Sequence, residues 1–340
     1  MPCCREFLRN RFTQETKTVG STQSSISYTW DSNGNLKSKT LGESQTTFYA
    51  WNSDQRLTAV KQGTSEATAI TVAQYSYDLD GNRTQKVEPG QNGNPDKITN
   101  YLVDRSYTYA QSLQETVTLG ANSTITNYVW GNGLIAQSRA GQNSYYHADG
   151  LGSVKALTDA AGITTDAYVY DAFGTVEGHS GASDNAYRYT GEYFDDTIQL
   201  QYNRARWYDT AVGRFNGMDT HSGSMAQPIT LHDYVYANND PINVTDPSGQ
   251  MGLMDVGGVA SNIVAGFATR AQVAFQTGKQ AGGAAVRALG RVVERRVQEM
   301  IRQCFKGDLK KHVPVSGSGG NRKIDFLLDL KDRTQLLEVK

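Results

Sequence analysis

Three residues near the end of the sequence, Asp325, Glu338 and Lys340, are of types that can cut phosphodiesters. Two carboxylates offer hard oxygen ligands to a divalent cation such as Mg²⁺, which offsets charge developing on a phosphate, and a lysine can position or activate the attacking water. Glu338 and Lys340 are two apart, so on a strand they share a face. If LKDRTQ forms a hairpin turn with Asp332 and Arg333 at its tip, Asp325 falls opposite Lys340 and diagonal to Glu338, and all three converge. A slip of one residue puts Asp325 opposite Val339 and scatters them. The pattern is short, and charged positions on an ordinary amphipathic hairpin read the same way.

Charge separates this tail from the rest. Residues 251–340 carry 15 Lys and Arg against 8 Asp and Glu, or +7, whereas residues 1–250 carry 18 against 26, or −8. A polyanion such as DNA therefore suits the tail alone. Two more aspartates stand where turns are expected, Asp246 in Asp-Pro-Ser-Gly and Asp219 in a loop rich in Ser, Gly and Thr, and read alone each is a turn residue. Other chemistries are excluded. Cys3, Cys4 and Cys304 form neither a disulfide framework nor a metal-ligand spacing, and His147 and His312 have no partners at metal spacing. The first 20 residues hold no apolar stretch of the kind an export signal needs. The longest apolar segment, around residues 256–268, is short and interrupted by Gly, so no membrane span is expected.

The elements that must position these residues are strands. With 38% hydrophobic residues the chain can form ordered cores, and 19 Tyr beside 34 Gly with only 20% charged residues favours strands and tight turns. A unit recurs at irregular intervals: an aromatic pair at i and i+2, a turn cluster, then a second short strand. It is clearest at Tyr28 and Trp30 with DSNGNL, Tyr49 and Trp51 with NSDQRL, and Tyr75 and Tyr77 with DLDGNR; weaker copies start at Tyr107, Tyr128 and Tyr168. Alternate strand residues share a face, so each pair puts two rings on one side of a sheet, and the Asp-x-x-Gly segment turns the chain. One hairpin is unstable alone, so neighbours must pair laterally. After residue 250 the texture changes: Ala, Gly, Val and Arg dominate, and Val293, Val297, Met300, Ile301 and Cys304 follow helical spacing. Beyond the Gly/Ser stretch at 315–320 come two apolar strands, IDFLLDL and QLLEVK.

The repeat units resemble the YD repeats of the Rhs family. The resemblance is most specific over residues 145–249, in YYHADGLGSVKALTDAAGITTDAYVYDAFG, YRYTGEYFDDTIQLQYNRARWYDTAVGRF and HDYVYANNDPINVTDPSG. It implies a mainly β fold, an antiparallel hairpin sheet forming part of a cocoon shell (1–144), then an Rhs-associated core (145–250). A small α+β C-terminal part follows, with a helical Gly/Ala-rich linker (251–314) and a nuclease-like hairpin (315–340). The same resemblance makes the core an aspartyl autoprotease, needing no cofactor, in which Arg206, Asp219 and Asp246 match the family's arginine and aspartate pair and the cut falls between Gln250 and Met251. Two positions depart from the family pattern: Thr220 stands where proline is usual and Gln250 where leucine is usual.

The tail resembles the PD-(D/E)xK nuclease core, which implies Asp325 and Glu338 as Mg²⁺ ligands, Lys340 as the catalytic lysine, and a glutamate on a preceding helix, Glu294 rather than Glu299. Together the resemblances imply a contact-dependent antibacterial toxin that releases a DNase, with DNA, a cognate immunity protein and a secretion component such as a type VI spike as partners. Because the chain opens in mid-repeat and stops at Lys340, it is expected to be a fragment lacking most of the shell, with a truncated and inactive or weak tail. The alternatives are a YD-repeat surface protein that binds carbohydrate or a neighbouring cell, and a toxin whose tail has another activity.

Overall fold

A computed structural model describes residues 10–19, 22–42, 45–223, 225, 228–250, 309–310, 324–330 and 333–339. The chain divides into two units, residues 1–254 and 255–340.

In the first unit fifteen strands pair in sequence order as one antiparallel meander, from Gln14–Val19 to Val176–Ser180. One turn design recurs along it. Asp78 accepts backbone N–H bonds through Oδ1 from Asp80 (3.0 Å) and Asn82 (2.8 Å). Asp149, Asp159 and Asp171 do the same for the residues two and four ahead, as does Asn52, while Asp31 holds Asn35. The fourth residue of these turns is left-handed, which glycine adopts without strain: Gly81 has φ +81° and Gly174 φ +93°. Strand pairing slips by one residue immediately before each turn, for example between Ala50 and Trp51 and between Ser76 and Tyr77. Such bulges bend the strand and increase its twist.

The aromatic pairs face one side as their spacing requires. The first ring of each pair is buried: Tyr28, Tyr49, Tyr75, Tyr128 and Tyr168. The second ring donates to the carbonyl near the start of the preceding strand. Trp51 Nε1 bonds Leu36 O, Tyr77 Oη bonds Leu57 O, Trp130 Nε1 bonds Ser112 O and Tyr170 Oη bonds Val154 O, each at 2.8 Å. One expected copy is wrong. Tyr107 lies in an exposed bend, and the buried ring of that segment is Tyr101 in the strand Lys97–Asp104. Strand Gln142–Ala148 passes through residue 144, and the same Asp-led turns continue to Asp171.

A second, four-stranded antiparallel sheet follows: Tyr193–Asp195, Leu200–Asn203, Arg206–Asp209 and Arg214–Phe215. Its Leu200 and Trp207 are packed into one core with Leu36, Leu57, Val60 and Tyr75 of the meander. A polar cluster joins the same two sheets. Lys86 Nζ lies 2.6 Å from Asp195 Oδ1, Tyr75 Oη donates to Asp195 Oδ2 at 2.8 Å, and the Arg83 guanidinium sits 4.1 to 4.6 Å from the ring centres of Tyr101, Tyr193 and Tyr202. Among the described residues no helix is long and apolar enough to cross a membrane.

The second unit contains an antiparallel sheet of Leu309–Lys310, Ile324–Leu330 and Arg333–Val339. Its hairpin register differs from the expected one by two residues. Leu330 pairs with Arg333, and Asp325 pairs with Glu338 instead of facing Lys340. Arg333 extends the ladder rather than capping the turn. A shift of two preserves side-chain parity, so Asp325 and Glu338 still share a face. Residues 309 and 310 form a strand within the stretch expected to be a helical linker. Met251, Glu294, Glu299 and Lys340 lie outside the described residues.

Candidate functional site

Arg206 opens the third strand of the small sheet, and the strand's pairing fixes where its side chain goes. The guanidinium is buried, 3.7 Å from the ring centre of Phe215, and donates through Nη1 to the Asp233 carbonyl at 2.9 Å and through Nε to the Gly249 carbonyl. That leaves Nη2 for two carboxylates: Asp219 Oδ2 at 2.7 Å and Asp246 Oδ2 at 3.6 Å. The two aspartates are only 5% and 1% exposed. Residues 27 positions apart are thus brought to one nitrogen atom.

Local hydrogen bonds orient each carboxylate. Asp219 Oδ1 accepts from the backbone N–H of His221 at 2.8 Å, and the Asp219 N–H donates to the Asp233 carbonyl at 2.9 Å. Asp246 Oδ1 accepts from Gly249 N–H at 2.9 Å and lies 2.8 Å from Ser248 Oγ, while its Oδ2 has no hydrogen-bond donor. Burial pushes the Asp246 carboxyl up to about 6; Arg206, Ser248 and Gly249 oppose that rise and Asp219 adds to it. Burial also lowers the Arg206 pKa, against the pull of Asp219 and Asp246. Ser248 Oγ lies 2.7 Å from the Gln250 carbonyl oxygen and accepts the Gln250 N–H at 3.0 Å, so one hydroxyl connects Asp246 with the carbonyl of residue 250. Two carboxyls at one buried cation, one of them with a raised pKa, can divide acid and base roles between them.

Arg206, Asp219 and Asp246 therefore converge, with Gln250 beside them. The roles of Ser248, Asp233 and Phe215 have no sequence signal: serine after Asp-Pro reads as a turn former, and Asp233 contributes its backbone carbonyl. In the second unit the structure pairs Asp325 with Glu338. Among the described residues no cluster of three metal-ligating side chains occurs.

With this geometry in place, comparison with known proteins is informative. Residues 97–242 match the Teneurin YD-shell family model. Over 231 residues, 66% of this chain and 9% of the relative, the sequence is 35% identical to the tRNA3(Ser)-specific nuclease WapA of Bacillus spizizenii. The chain is an Rhs/YD-shell protein. The double-stranded DNA deaminase toxin A of Burkholderia cenocepacia is 27% identical over 258 residues, covering 68% of the chain and 17% of that protein. A solved Photorhabdus luminescens Tc holotoxin pore shares the fold at TM-score 0.50 and 18% identity, covering 68% of this chain and 13% of that one. The Rhs/YD-shell chain thus spans 9 to 17% of the length of these two relatives. The family match includes Arg206 and Asp219 and stops four residues before Asp246.

Proposed function

We propose that this YD-shell segment hydrolyses its own peptide bond between Gln250 and Met251, separating the shell from a C-terminal toxin effector. The observation that carries the reading is the single Arg206 nitrogen serving both Asp219 and Asp246, four residues before the bond. Asp219, ion-paired with Arg206, takes a proton from a water molecule whose oxygen adds to the Gln250 carbonyl carbon. Asp246, with its raised pKa, supplies the proton that lets the nitrogen of Met251 leave. A carboxyl group forms at Gln250 and an amine at Met251, and no cofactor is consumed. The test is a gel and an N-terminal sequence. The wild type should yield a shell fragment and a fragment beginning at Met251, whereas Asp219→Asn and Asp246→Asn should each leave one uncleaved band. Unchanged processing in both variants would overturn the reading.

The effector is proposed to act on nucleic acid, DNA in particular, as a metal-dependent nuclease. Support comes from the +7 charge of residues 251–340, the nucleic-acid activities in the names of the two relatives, and the Asp325–Glu338 pairing. Asp325 and Glu338 supply the hard oxygen donors that Mg²⁺ takes, with Glu294 as a further ligand and Lys340 placing the water; the cation would offset charge on the phosphate. Delivery to a neighbouring bacterium through a secretion spike, with a cognate immunity protein protecting the producer, belongs to the same proposal. Plasmid DNA incubated with the protein should be cut in Mg²⁺ and spared in EDTA or when Asp325→Ala is introduced. A tail that cuts tRNA but not DNA would move the target, and intact DNA and tRNA in Mg²⁺ would refute the nuclease.

A further inference from the structure

The small sheet reverses at residues 203–206, between the strands Leu200–Asn203 and Arg206–Asp209, and every residue of this reversal holds one carbonyl of the segment before the proposed cut. Asn203 Nδ2 donates to the Asp246 carbonyl at 2.6 Å. Arg204 Nη1 donates to the Pro247 carbonyl, the Ala205 N–H to the Ser248 carbonyl at 3.1 Å, and Arg206 Nε to the Gly249 carbonyl. Four consecutive residues thus bind four consecutive carbonyls in order.

We propose that residues 203–206 are a main-chain clamp that sets which peptide bond enters the aspartate pair, with Asn203 and Arg204 as positioning residues. The inference rests on the autocleavage reading. The contacts go to carbonyl oxygens, so the clamp reads the path of the backbone rather than the identity of residues 247 and 248. Residue 249 is selected by exclusion instead. Gly249 has φ +67°, and a Cβ there would stand 2.1 Å from the Asn203 carbonyl oxygen and 2.9 Å from Arg206 N. Arg204 is itself braced, by both oxygens of Glu192 at 2.9 and 3.0 Å and by the Ala110 carbonyl of the meander at 3.0 Å. The clamp is therefore anchored to both sheets. All four contacts lie on the N-terminal side of the bond, so after hydrolysis residues 246–250 stay seated as the shell's new C-terminus.

Two measurements test this. The first follows cleavage rate and cut position by mass spectrometry in Asn203→Ala, Arg204→Ala and Arg204→Lys. The alanine variants should slow cleavage at least about tenfold and scatter the cut position, because misplacement of a reacting group weakens catalysis steeply; Arg204→Lys, which keeps the charge on a single donor nitrogen, should recover part of the rate and the single position. Wild-type rate and position in both alanine variants, while Asp219→Asn stays uncleaved, would overturn the clamp and leave the autocleavage reading standing. A wild type that never cleaves would instead sink that reading. The second measurement needs no folded variant: carboxypeptidase applied to the cleaved wild-type shell should stop at residues 246–250, and rapid trimming past Asp246 would overturn the clamp.

Discussion

Asp246 uses its two oxygens for different purposes. Oδ1 closes the Asp-Pro-Ser-Gly turn by accepting from Gly249 N–H, while Oδ2 looks toward Arg206 from 3.6 Å without a hydrogen bond. Asp219 divides its oxygens likewise, between the His221 N–H and Arg206. Turn residue and site residue are thus one reading, because a turn that fixes one oxygen also aims the other. The pH dependence follows. The Asp246 carboxyl keeps its proton up to about 6 in the folded chain, above its ordinary 3.8, so ionisation between these values works against the fold. The contribution of Asp246 to stability is full below the lower value and is lost as pH rises through about 6. If Asp246 is the acid, the cleavage rate, followed on gels across this range, should fall as pH rises through about 6. A rate that climbs through that window would assign the proton donor elsewhere.

At the scale of single elements, the aromatic pair and its turn form one device. The first ring fills the core, the second bonds a carbonyl of the preceding strand, and the Asp or Asn side chain replaces missing ladder bonds at the bend. Tyr170→Phe removes only the bond to Val154 O and should cost about 1 kcal/mol, read as a lower urea midpoint. Gly174→Ala is more severe. Its φ is +93° and the new Cβ would lie 2.3 Å from the Tyr189 ring, so a loss of about 2 kcal/mol or more is expected in the same assay. These units were legible where both halves of the device are present, as at Tyr75 with Asp78 and Gly81. Tyr107 misled because residues 105–110 are themselves the connection between the paired strands Lys97–Asp104 and Gln111–Leu119, so its i+2 aromatic spacing falls in a bend and not on a strand. The tail register went astray because nothing in LKDRTQ forces one turn, so the pairing of Leu330 with Arg333 was not determined by local chemistry.

Across the first unit, stability and the site depend on the joint between the two sheets. Asp195 is buried with Lys86 at 2.6 Å and Tyr75 at 2.8 Å, and these partners hold its pKa down despite burial. Replacing it leaves Arg83 in the core without its ion-pair partner and Lys86 with Glu88 alone, at 3.5 Å. Asp195→Asn should therefore cost about 3 kcal/mol or more, measured by denaturant unfolding, and should slow cleavage as well because the sheet that carries Arg206 loses its seat. Unfolding unchanged within about 0.5 kcal/mol would mean the cluster contributes little.

The sequence alone determined the strands, most of their turns and the inward faces, because aromatic alternation and Asp-x-x-Gly chemistry act over a few residues and need no distant partner. It also indicated Arg206, Asp219 and Asp246, though only through resemblance, since each residue taken singly suits an ordinary turn or strand. Tertiary structure decided what they do together. The approach of 219 and 246 to one guanidinium, and the grip of residues 203–206 on residues 246–249, join segments some 13 to 43 positions apart. Such contacts depend on how the small sheet closes over its own downstream loop, and no local pattern records that closure.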